Sequence, residues 1–149
     1  MHEMSIALGI LAAVEDAFRS TPGAKRVTRI RLRVGVLSLI DVEALRFALR
    51  VASRGTPAED AEIEVEMAEP RFRCRVCGYE WKPSREETER LTGNPEISTL
   101  VHIDPDVLPR FLQCPRCGAR DVEVVQGTGV MLHSVDIETG EDEERGVQL

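Results

Sequence analysis

A chain of 149 residues with a formal net charge of -7 and only 4% aromatic residues has room for one ordinary domain or two small ones. The acidic balance opposes a phosphate backbone, and scarce aromatics leave little for bases to stack on, so nucleic-acid binding is disfavoured. No apolar run approaches the roughly 20 residues that cross a bilayer, and no charged and apolar leader with a cleavage site opens the chain; a soluble, cytoplasmic protein is the expectation.

In chain order, Met4, Leu8, Leu11 and Phe18 recur at three- and four-residue spacings, with Ala7, Ala12 and Val14 filling in. This predicts a helix over about 4–20, ended by Thr21-Pro22-Gly23. Residues 29–36 alternate, which puts Ile30, Leu32, Val34 and Val36 on the core face of a strand and the arginines outside. Asp41 is placed to cap a second helix that carries Leu45, Ala48, Leu49 and Ala52 on one face and closes at Gly55-Thr56-Pro57. Residues 62–67 alternate again, with three glutamates outward. If the two strands are neighbours, Arg29, Arg31 and Arg33 can pair with Glu62, Glu64 and Glu66 at about 0.2–1 kcal/mol each; the alternative is two solvated faces without specific pairing.

The four cysteines form two matching motifs, Cys74-Arg-Val-Cys77-Gly78 and Cys114-Pro-Arg-Cys117-Gly118. Two thiolates at this spacing converge on one tetrahedral ion, and the following glycine lets the backbone fold beneath the sulfurs. Two such knuckles make a closed four-sulfur site that suits zinc; a rubredoxin-like iron uses the same ligands, so an electron carrier stays open at this point. Disulfides or redox dithiols are disfavoured in an intracellular chain. A saturated site has no position for substrate, so the cysteines act as a staple and say little about function. Residues 83–109, with Gly93-Asn94-Pro95 and Asp104-Pro105 as breakers, read as an insertion between the two halves of the site, and His102 is its notable side chain. After the second knuckle come a ribbon strand over 121–125, a turn at Gly127-Thr128-Gly129, and a last strand over 130–137 that returns to the first sheet. The acidic stretch 141–149 reads as a disordered tail. The division is thus 1–69 with 127–140, 70–126 as a zinc ribbon, and the tail. No Ser/His/Asp or carboxylate cluster can be assembled, so an enzyme is not expected.

His2 stands beside its own amide nitrogen, that of Glu3 and the free amine. Three or four nitrogens in a plane select Ni(II) or Cu(II) over zinc, although a single histidine at this position carries little weight alone. Taken together, Met1-His2-Glu3-Met4-Ser5, a small α/β region and the two C-x-x-C-G knuckles resemble the hydrogenase nickel-insertion accessory proteins of the HypA/HybF family over the whole chain except the tail. The resemblance implies an α+β protein, with a nickel domain of two helices on a three-stranded mixed sheet and an inserted zinc-ribbon domain. It implies a metallochaperone, not an enzyme, that passes Ni(II) to the large-subunit precursor of a [NiFe] hydrogenase with a HypB-type GTPase; some members also supply urease. By resemblance His2 is the principal nickel ligand and Glu3 its neighbour, through a backbone nitrogen and its carboxylate, while Cys74, Cys77, Cys114 and Cys117 hold zinc. The 36 residues between Cys77 and Cys114 are similar to the longer insertion of archaeal-type members, in which His102 would complete the nickel site. His133 reads as structural. The rival class is a zinc-ribbon nucleic-acid or transcription adaptor module.

Overall fold

The computed structural model describes residues 2–140 and 144–148. The chain forms two units: one comprises residues up to Arg33, Ile40–Glu66 and the chain from Val130, and the other Val34–Leu39 with Met67–Gly129.

The first unit is built on α1 (His2–Arg19), β1 (Ala24–Gly35), α2 (Val42–Ala52), β2 (Glu62–Ala68), β6 (Val130–Thr139) and β7 (Glu144–Gln148), with the sheet order β2-β1-β6-β7. Helix α1 buries Ala7, Ile10, Leu11, Val14 and Ala17, a three- and four-residue stripe, whereas Leu8 is 56% exposed. The helix has apolar residues on more than one side, so periodicity alone predicted a face turned partly toward Leu8 and Ala12. Helix α2 starts where its cap predicts, with the Ala44 amide donating to the Asp41 carboxylate at 3.1 Å, and buries Leu45, Ala48 and Leu49.

The arginine–glutamate ladder forms. Arg29 reaches Glu62 and Glu64 at 3.2 and 3.3 Å, Arg31 reaches Glu64 at 3.2 Å, and Arg33 reaches Glu66 at 3.4 Å. Residue numbers rise together on both strands, as they do for parallel neighbours joined by the α2 crossover. Between β1 and β6 the sense is opposite: Arg26 pairs with Glu138, and Thr28 donates to the Asp136 carbonyl. The sheet is therefore mixed, and it carries one strand more than the three expected. Residues 144–148 pair antiparallel with β6, Val147 opposite Val135 and Gly146 opposite Asp136. Composition marked this stretch as a disordered tail, yet its backbone supplies partners for the donors and acceptors along the β6 edge. The rest of the tail, 141–143 and 149, lies outside the described residues.

The second unit contains β3 (Arg71–Cys74), β4 (Glu80–Trp81), α3 (Arg85–Gly93), α4 (Pro95–Ile103), a 3-10 helix (Pro105–Phe111) and β5 (Val122–Gln126), with sheet order β4-β3-β5. Asn94-Pro95 and Asp104-Pro105, which read as breakers in the insertion, are helix starts, and Ser84 opens another helix before them. Ser84 accepts from the Glu87 amide at 3.1 Å, Asn94 from Glu96 and Ile97 at 2.9 and 3.2 Å, and Asp104 from Asp106 at 3.1 Å. In Asn94-Pro95 and Asp104-Pro105 the cap precedes a proline at the first helical position, where its missing N–H costs nothing. Nor is the insertion a linker, since its Leu91, Ile97, Val101 and Leu108 are buried with Phe72 and Cys74 in one core. A short 3-10 helix, Val36–Ser38, continues from β1 into the same core through Leu37. Residues 34–39 thus belong to the ribbon unit, which a division of the sequence at residue 69 does not capture.

Candidate metal centres

The two knuckles have the same backbone construction. Cys74 N–H donates to Tyr79 O and Cys114 N–H to Ala119 O, each at 2.8 Å; Gly78 and Gly118 donate back to the Cys74 and Cys114 carbonyls, each at 2.9 Å. Both glycines take positive φ, 78° and 76°, and turn the chain beneath the sulfurs without strain. Cys74 and Cys114 are buried, Cys77 and Cys117 exposed. On the exposed flank Tyr79 stacks on Trp81, ring centroids 5.9 Å apart, and Arg116 lies 5.8 Å from the Tyr79 ring centre.

All four sulfurs lie within 4.8 Å of one another, the one such cluster of metal-ligating side chains among the described residues. Cys74 and Cys117 approach to 3.5 Å and Cys77 and Cys114 to 3.7 Å, far longer than a disulfide bond of about 2.05 Å. A tetrahedral thiolate site with metal–sulfur bonds of about 2.3 Å has S···S edges of about 3.8 Å, so the cluster fits a tetrahedral ion of zinc's size. Amides converge on the inner sulfurs: Val76 and Cys77 donate to Cys74 Sγ, each at 3.4 Å, and Arg116 and Cys117 to Cys114 Sγ at 3.4 and 3.5 Å.

These amides set where negative charge sits. The Cys77 amide holds the Cys74 thiol below its usual range, helped by the Val76 amide and the Cys117 and Cys77 sulfurs, against the upward push of burial. Burial also pushes Cys114 up, but the amides of Cys117 and Arg116 and the neighbouring sulfurs outweigh it and bring the thiol down to about 7. At Cys117 the Ala119 amide pulls the thiol down, yet the Cys74 sulfur, burial and the other two sulfurs push it up to about 12. Four sulfurs at this separation ionise together only around a cation, which is the chemistry of a thiolate metal site.

The remaining candidates fall in different parts of the chain. His2 is the first residue of α1, its side chain outside the described part, and Glu3 lies half-buried in the first helical turn. The first four amides of an α-helix have no acceptor within the helix. His102, placed by the sequence in a broken loop, lies in α4 of the second unit, with Nδ1 3.1 Å from the Ser38 carbonyl oxygen. His133 is half-buried in β6. Sequence reasoning missed two partners: Ser38, whose contact with His102 spans 64 positions, and Asp136, the buried carboxylate that receives Arg31 through two 2.9 Å bonds. Neither contact belongs to a local motif. No described helix is long and apolar enough to cross a membrane.

Known proteins match the chain along nearly its whole length. The family model described as hydrogenase/urease nickel incorporation, metallochaperone, HypA, matches residues 1–137. The hydrogenase maturation factor HypA of Thermococcus sibiricus is 40% identical over 143 residues, covering 96% of this chain and 100% of that protein. The hydrogenase maturation factor HypA of Methanopyrus kandleri is 37% identical over 147 residues, covering 98% and 100%. Among solved structures, the Ni metallochaperone HypA from Helicobacter pylori superposes with a TM-score of 0.61 at 18% identity, covering 91% of this chain and 96% of that one. A second HypA solution structure gives 0.64, also at 18% identity, covering 92% and 96%. These two similarities concern the fold, which is α+β in all three. The sequence matches extend from the α1 start through both knuckles and the insertion, and the chain therefore belongs to the HypA family of nickel-incorporation metallochaperones that serve hydrogenase maturation.

Proposed function

We propose that this chain binds Ni(II) at its N-terminus and delivers it to the large-subunit precursor of a [NiFe] hydrogenase in the cytoplasm, acting with a HypB-type GTPase and catalysing no reaction itself. Urease accessory proteins are a further class of recipient; nucleic acid and membrane are not partners. The observation that carries this reading is the position of His2 and Glu3 at the start of α1 in a chain matched by a nickel-incorporation family.

The nickel is cargo. His2 supplies an imidazole nitrogen, and the backbone nitrogens of His2 and Glu3 supply strong-field donors once their protons leave. Because the first amides of a helix make no intrahelical bond, ligation here breaks none of the α1 ladder. The Glu3 carboxylate offsets the positive end of the helix dipole, which would otherwise repel a cation, and offers an oxygen. Each nitrogen must be deprotonated to bind, so acidification releases the ion stepwise. A ligand set at a helix end can fray and give up its metal at small energetic cost, which suits a carrier.

Cys74, Cys77, Cys114 and Cys117 hold Zn(II) in this reading. The closed thiolate site serves folding of the ribbon, to which structural zinc contributes about 10–16 kcal/mol of apparent binding energy. His2→Ala tests the assignment by equilibrium dialysis of the untagged protein with metal analysis. Nickel binding is lost and zinc stays near one per chain if the reading holds; stoichiometric nickel in the variant defeats it.

A further inference from the structure

The ribbon sheet has the order β4-β3-β5, so β5 (Val122–Gln126) is paired along one side only. Among the described residues, no backbone bond from outside β3 reaches Glu123–Gln126. An edge of this kind presents a row of N–H and C=O groups to any extended chain that comes alongside. Two common guards are missing: neither lysine nor proline occurs in β5, and the irregularity in its pairing lies at Arg71 and Phe72 of β3. Beside the strand is a cleft of about 570 Å³, lined by Pro105 and Pro109 of the 3-10 helix and by Val122 and Val124 of β5. All of these residues lie within the second unit.

The charges around this cleft do not cancel. Arg75, Arg110 and Arg120 line it together with Asp106, Asp121 and Glu123. Two of the carboxylates are already engaged: Arg75 lies 3.5 Å from Asp121 and 3.8 Å from Glu123, and Arg73 holds Glu123 at 2.8 Å. The side chains of Arg110 and Arg120 make no hydrogen bond or ion pair among the described residues, which leaves two guanidinium groups against the carboxylate of Asp106. In a chain of net charge -7 this is a local excess of positive charge, and it stands beside an open strand edge. A guanidinium presents paired donors that match a carboxylate. When a strand adds to such an edge, main-chain bonds supply affinity and the flanking side chains choose the sequence.

We propose that the β5 edge and this cleft bind an extended, carboxylate-rich segment of a partner protein, which adds to the ribbon sheet as a further strand and pairs its acidic side chains with Arg110 and Arg120. The probe is a peptide of about eight residues alternating valine and glutamate, long enough to cover β5 and carrying its carboxylates on one side. It is titrated, fluorescently labelled, into the zinc-loaded full chain, and the site is mapped by backbone amide spectra. Saturable binding is expected, weaker as salt rises, with shifts concentrated at residues 105–110 and 120–126. Arg110→Glu and Arg120→Glu are each expected to weaken binding by about tenfold, the loss of roughly one charge-assisted hydrogen bond, with zinc content unchanged. Arg54→Glu, exposed in the first unit, makes the same change in net charge and is expected to leave binding as it was. Two further peptides, N-methylated at one or the other set of alternate residues, are expected to differ, because only one set turns its N–H groups toward β5. Absence of saturable binding, full binding by both arginine variants, equal binding of the two methylated peptides, or shifts confined to Glu144–Gln148 at the edge of the other sheet would each overturn the proposal. Tighter binding of an oligouridine at the same residues would assign the cleft to a phosphate backbone and overturn it as well.

Discussion

Replacing Leu108 by alanine tests whether the insertion belongs to the ribbon's core or merely links its halves. Leu108 is 0% exposed and packs with Phe72, Cys74 and Cys114 in one cluster. Its backbone cannot readily collapse into the space left behind, because Asp104 caps the helix on one side and Arg90 donates to Phe111 O at 2.9 Å on the other. Buried leucine-to-alanine changes cost about 2–5 kcal/mol, and with restricted relaxation we take about 3 kcal/mol. Because the folded unit is what brings the four thiolates together, that loss is passed on to metal retention. At about 1.4 kcal/mol per decade it weakens apparent zinc affinity about a hundredfold. Competition against a chromophoric zinc chelator measures this directly. Leu100→Ala, at a site 48% exposed, is the control and is expected to change retention by less than about threefold, in line with a surface effect within about 0.5 kcal/mol. Retention in Leu108→Ala equal to the control would refute the argument that the insertion and the knuckles fold as one body.

Asp136→Asn leaves Arg31 with Glu64 at 3.2 Å and the Ser134 hydroxyl at 3.2 Å but removes its paired carboxylate. Since Arg31 is partly solvated, denaturant titration is expected to show a modest loss of stability, smaller in high salt. Gly127→Ala is expected to be far more damaging than Gly129→Ala. Gly127 has φ 109° and a Cβ there would lie 2.5 Å from Pro70 Cα, whereas at Gly129, φ 73°, nothing stands within 4 Å; the latter change should cost only about 1–2 kcal/mol, and equal thermal shifts would contradict the reasoning. An N-terminal extension is expected to weaken nickel binding in dialysis while a C-terminal tag does not; equal effects of the two would argue against the α1 start as the site.

What could be read from the residues depended on whether their signal was local. The knuckles were legible because spacing and a following glycine dictate their geometry, and the four sulfurs meet as that geometry requires. The Asp41 cap and the arginine–glutamate ladder were legible for similar reasons, each being a contact between periodic positions. Helix α1 was legible as a helix, but its buried face was not, since Leu8 and Ala12 are as apolar as the residues that bury. The insertion was misread because Asn94-Pro95 and Asp104-Pro105 look like interruptions until each asparagine or aspartate is seen to cap a helix that begins at the proline. Strand β7 was hidden by its charge: only the β6 backbone edge gives residues 144–148 a reason to extend. The contacts of Ser38 with His102 and of Arg31 with Asp136 join positions 64 and 105 apart, so no window of sequence contains both partners.

The most direct test of the nickel assignment is X-ray absorption spectroscopy at the nickel edge on untagged, zinc-replete protein loaded with one equivalent of nickel. The account predicts nitrogen and oxygen scatterers with the multiple-scattering pattern of imidazole, and no sulfur. Sulfur ligands without imidazole would place the cargo at Cys74, Cys77, Cys114 and Cys117 and contradict the division between a stapling site and a delivering one.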